Sequence, residues 1–123
     1  MPKSDALIPE HLLPLPTAAF HILVALADRD RHGYAIMQDI AERTGGTIRM
    51  SPGTLYGAIS RLLEQGLITE LRDAGRSGDD ERRRCYRLTA FGRAVAAAEA
   101  RRMTEMLKQA RATGLVPKLR DSG

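Results

Sequence analysis

From Thr89 to about Thr113 the chain keeps an apolar residue on one face of a helical period for roughly 25 residues. The stripe comprises Phe91, Val95, Ala98, Met103, Met106, Leu107 and Ala110, and Gly114 and Pro117 stand beyond its end. At about 1.5 Å per residue such a helix is ~36 Å long, more than a compact core of this size can cover along one element. Part of the stripe therefore needs a second surface. The seven residues are candidate dimerisation positions, with Thr89 suited to cap the helix start.

Three shorter helical periods precede it. Phe20, Leu23, Val24 and Ala27 recur at i, i+3, i+4 and i+7 and predict a helix over 17–28. The polar run from Asp28 to Gly33 reads as a turn. Tyr34, Ile36, Met37 and Ile40 resume the period until Gly45-Gly46 stop it. Ser51-Pro52 combines a capping side chain with a proline favoured at the first helical position, and Leu55, Ile59, Leu62 and Leu63 then follow at helical spacing up to Gly66. Residues 67–71 and 84–88 read as two strands around a Gly- and charge-rich turn over 73–82, a β-hairpin. The expected organisation is an N-terminal arm over 1–16, extended or docked, a head over 17–88, the long helix over 89–113 and a tail over 114–123.

The chain of 123 residues is 43% apolar and 28% charged, which suits one globular domain and excludes wholesale disorder. Pro9, Pro14 and Pro16 break the apolar N-terminus, so neither a signal peptide nor a membrane span is expected. One cysteine, Cys85, cannot make an internal disulfide, and it fits a reducing cytoplasmic compartment. With only His11, His21 and His32 beside it, no zinc spacing is present and no cofactor or metal is expected. No nucleophile–base pair is visible either, so the chain does not read as an enzyme. The net charge of +4 favours an anionic partner without identifying one.

Three helices followed by a hairpin is the order of a winged helix-turn-helix, a mainly α fold in which the third helix enters the DNA major groove and the hairpin touches the flanking backbone. Rotating by about 100° per residue from the apolar stripe of that third helix leaves Gly53, Thr54, Gly57, Ser60, Arg61 and Glu64 facing outward. The face is small, polar and cationic. Arg61 can donate two hydrogen bonds to guanine, and Ser51, Thr54 or Ser60 can reach phosphate. Gly53 and Gly57 each cost the helix ~1 kcal/mol relative to Ala, a concession a merely solvated face does not need.

The runs Phe20-His21-Ile22-Leu23, HGYAI over 32–36, PGTLY over 52–56, RLLEQGLI over 61–68 and YRLTAFG over 86–92 resemble the PadR family of transcriptional regulators, over about residues 15–113. The resemblance implies a homodimeric, usually repressing DNA binder whose C-terminal helix dimerises and whose repression is relieved by a small-molecule effector. It places Tyr34, Thr54, Tyr56 and Arg61 among DNA-facing positions. The chain ends after one long helix and so looks like the short subgroup, to which effector pockets of longer members need not apply. A two-fold dimer would read a pseudo-palindromic double-stranded operator.

In the wing, Arg82, Arg83 and Arg84 are expected to contact phosphate while the neighbouring Asp79, Asp80 and Glu81 point away. Cys85 alternates with Tyr86 and reads as an inert, partly exposed thiol, though adjacent arginines leave redox chemistry open. The rival reading is a winged-helix protein–protein interaction module without direct DNA readout, which would put an apolar outward face on the third helix.

Overall fold

The protein is represented by a computed structural model that describes residues 8–71 and 84–117. Helix α1, Thr17–Ala25, buries Ala19, Ile22, Leu23 and Ala25, with Leu26 following. It ends three residues earlier than its period predicts, and Ala27 is exposed. Arg31 caps this end, its Nε donating to the Ala25 carbonyl at 2.7 Å, an acceptor that no further helical turn uses.

The polar turn expected over 28–33 contains a two-residue strand, β1, Arg31–His32. Helix α2, Gly33–Arg43, starts directly after it, and Gly45 and Gly46, at φ of 63° and 85°, end it where side-chain-bearing residues would be strained. Helix α3, Pro52–Glu64, turns Leu55, Ala58, Ile59 and Leu62 inward. Strands β2, Ile68–Leu71, and β3, Cys85–Leu88, pair antiparallel with Ile68 opposite Leu88 and Leu71 opposite Cys85. β1 adds to the other edge of β3, giving the order β1-β3-β2 instead of the expected two-stranded hairpin.

Helix α4, Ala90–Ala112, leaves the sheet through a tight junction. Thr89 Oγ1 accepts from the Gly92 N–H at 2.9 Å and lies 2.7 Å from the Gly66 carbonyl, to which it donates. Gly92 itself sits against the Leu67 carbonyl so closely that a Cβ would overlap it. α4 is thereby anchored to the end of α3 and the start of β2.

One core unites these elements. Ile22, Leu23, Ile36, Ile40, Leu55, Ile59, Leu62, Leu67 and Val95 are almost fully buried, each contributing about 1.5–3 kcal/mol of hydrophobic stabilisation. Residues 8–16 dock on α4 as a strap, with a 3₁₀ turn at Pro9–Leu12 and Leu15 buried. The Leu15 N–H donates to Glu99 Oε2 at 3.0 Å, and Arg102 chelates the same carboxylate. Beyond Glu99 the remaining ~20 Å of α4 runs past the core, leaving Met106 52% and Leu107 41% exposed.

Candidate nucleic-acid interface

The outward face of α3 is built from its cap inward. Ser51 Oγ accepts from the Thr54 N–H at 3.1 Å, and the two hydroxyls lie 3.1 Å apart, so one contact both starts the helix and orients Thr54. Ser51, Thr54, Ser60 and Arg61 are all exposed. A Cβ placed on Gly53 or Gly57 would meet nothing within 4 Å. Among the described residues nothing requires glycine at either position, and both leave the backbone of α3 open to close approach. Among the described residues no carboxylate pairs with Arg61, whose side chain borders a shallow cleft shared with Pro16, Ala18 and Gln65.

Tyr34 is 53% exposed at the first turn of α2 and stands outside the apolar stripe in which the sequence pattern placed it. Tyr56, also expected among the DNA-facing positions, is half-buried. Its phenol end lies against Gly33, where any Cβ would collide with the hydroxyl, so the ring spaces α3 from α2. Arg84 is exposed and lies 3.6 Å from Glu70 on β2, while Arg82 and Arg83 fall outside the described residues. Cys85 is half-buried, across β1 from His32 and across β2 from Leu71.

Much of the positive charge is engaged within the fold. Arg87 holds Asp30 with two hydrogen bonds of 3.2 and 2.9 Å, Arg93 caps the Ala27 carbonyl at 2.8 Å, and Arg31 and Arg43 share Asp39 at 3.2 and 2.6 Å. The hydrogen bond and charge of Asp39 raise the Arg43 pKa, and Asp30 raises that of Arg87. Net charge therefore says less about the partner than does Arg61 on α3, which has no carboxylate partner among the described residues. Sequence reasoning did not single out Arg49, exposed in the turn before α3 and lying over Gly46; a basic residue two positions before a capping serine was its only signal.

On α4 the candidate dimer residues divide. Val95 and Ala98 are buried in the chain's own core and Phe91 packs on it, because the head needs a lid over α1 and the sheet. Val95 and Ala98 therefore offer little surface beyond the chain, while Phe91 is half-buried. Met103 and Ala110 are half-buried, and Met106 and Leu107 are exposed. Glu99, which lies in the same helix, is 2% exposed. Its hydrogen bonds from Arg102, then from the Leu15 N–H, hold its carboxyl below the usual carboxylate range against the opposing cost of burial.

The model of the transcriptional regulator PadR-like family matches residues 22–98. The transcriptional regulator Rv3488 of Mycobacterium tuberculosis is 37% identical over 89 residues, covering 72% of this chain and 78% of that one. An uncharacterised 37.1 kDa protein of transposon TN4556 from Streptomyces fradiae is 39% identical over 85 residues, 69% of this chain; the match spans 22% of that longer protein. Among solved structures, a PadR family transcription regulator of Clostridium difficile superposes with a TM-score of 0.68 at 23% identity, covering 80% of this chain and 98% of that one. That likeness establishes the winged-helix fold, and no helix among the described residues is long and apolar enough to cross a membrane.

Proposed function

The chain belongs to the PadR-like family of transcriptional regulators, and on that premise we propose that it is a homodimeric repressor in which α3 reads operator DNA and a small-molecule effector relieves repression. Its support is the family, whose members are described as transcriptional regulators, together with a solved PadR family transcription regulator that shares the fold. The observation that carries the finer reading is Arg61, exposed and without a carboxylate partner among the described residues, on a helix face whose two glycines have open space before them.

In this reading Arg61 takes a guanine edge, Thr54 and Ser60 reach bases or phosphates, and Gly53 and Gly57 let the backbone of α3 approach the groove floor. Ser51, Tyr34 and Arg84 lie at the rim, within reach of the sugar–phosphate backbone. Residues 17–88 form the DNA-binding head and 89–113 the dimer helix, with Met103, Met106, Leu107 and Ala110 as the contact face. The operator is a pseudo-palindrome in the cytoplasmic genome. An effector at the dimer seam acts through the spacing of the two α3 helices, and it shifts the equilibrium only by its difference in affinity for the two arrangements.

Footprinting on the DNA upstream of the chain's own coding region tests the proposal. A protected pseudo-palindrome with half-sites about 34–36 Å apart is expected. A chain that binds that DNA and random duplex equally at physiological salt would overturn it.

A further inference from the structure

We infer that Arg31 is a positioning residue for DNA recognition: it holds α1, α2 and the wing sheet at one point, so that the sheet and α3 meet DNA as a single rigid body. This rests on the reading of α3 as the helix that reads DNA.

Arg31 is two residues from the start of α2, and its side chain is only 16% exposed. Its Nε donates to the Ala25 carbonyl at 2.7 Å, tying it to the end of α1. Its Nη2 lies 3.2 Å from Asp39 Oδ1 on α2 and 3.5 Å from Asp28. Its backbone belongs to β1, opposite Tyr86 of β3. One planar guanidinium thus bonds two helices at once while its own main chain is part of the sheet.

The consequence reaches α3 by a short route. β1 ends at His32 and α2 begins at Gly33 with no loop between them, so any rotation of the sheet turns the first residues of α2. Gly33 carries the phenol end of Tyr56 against it, and Tyr56 is on α3. On the far side β2 follows α3 and pairs with β3, which closes the ring. Lysine cannot replace Arg31, because an ammonium on a single stem does not reach the Ala25 carbonyl and Asp39 in the fixed directions of a fork. Asp39 keeps Arg43 at 2.6 Å in such a variant, so no buried carboxylate is left unpaired and the fold should survive.

The test uses the full chain and two duplexes: one selected from a random pool by the wild-type protein and one of scrambled sequence. Anisotropy titrations are run well below the melting temperature on wild type, Arg31→Lys, Arg61→Ala and the double variant. Arg31→Lys should bind the selected duplex about tenfold more weakly, because the Arg61–base contact loses its register, with the scrambled duplex changed by less than about twofold. The Arg61→Ala loss should also be smaller in the Arg31→Lys background than in wild type, which a variant that merely lowered stability would not produce. Unchanged binding by Arg31→Lys, equal losses on both duplexes, or losses that simply multiply would overturn the inference. Should Arg31→Lys fail to fold, Asp39→Asn attacks the same contact from α2, with the same expected and overturning results. If the wild-type chain selects no duplex, the DNA-binding reading itself fails, and the inference falls with it.

Discussion

Gly57 and Gly92 are both helical glycines, and the space around them gives opposite meanings to the same substitution. A Cβ at 92 collides with the Leu67 carbonyl, a backbone atom fixed by its hydrogen bond from Thr89. Gly92→Ala should therefore destabilise the chain by about 3 kcal/mol or more, as a lowered denaturation midpoint will show. A Cβ at 57 meets nothing. Gly57→Ala should stabilise the free chain by about 1 kcal/mol while weakening operator binding, two shifts of opposite sign measured by melting and by titration. Arg61→Ala should cost about 1–3 kcal/mol of specific affinity and relax preference at one operator position, leaving affinity for random duplex nearly unchanged.

At the scale of elements, the strap and α4 are held by a buried carboxylate whose ionisation follows folding. Glu99 has a folded-state pKa below its ordinary value, so its contribution is fully present above the unfolded value of about 4.3 and disappears as pH falls through the lowered one. The wild-type melting temperature should consequently fall more steeply than that of Glu99→Gln below about pH 4, and the two curves should run parallel near neutrality. Glu99→Leu leaves the Leu15 N–H buried without an acceptor, a loss of about 1–3 kcal/mol, and should speed proteolysis of the strap. The long elements were legible because each carries its own period and stop signal: Ser51-Pro52 for α3, Thr89 for α4, Gly45-Gly46 after α2. What was not legible depends on distant partners. β1 exists only because Arg31 and His32 meet Tyr86 and Cys85, α1 stops where Arg31 reaches back, and Glu99 looks like any helical surface charge until the strap lies on it. At the interface the face of α3 could be read from its wheel, whereas the turn of Tyr56 toward Gly33 is a packing decision between two helices.

For the whole molecule, the head closes its core against the strap and the first half of α4, while the distal half of α4 extends beyond it. Leu107→Asp should give a folded monomer, because the head's buried residues are untouched and only the exposed end of α4 is altered. On the proposed dimer, sedimentation should show the mass halved relative to wild type, with helicity retained and operator affinity reduced by the loss of the second half-site.

The strap also sets an order of events during synthesis. Leu15 and Glu99 are 84 residues apart, so at ribosomal rates of about 5–20 residues per second the strap waits roughly 4–17 s between its own appearance and that of its seat. Throughout that interval Leu12, Leu13 and Leu15 have no α4 to lie on, and a segment made well before its seat is among the last to be put in place.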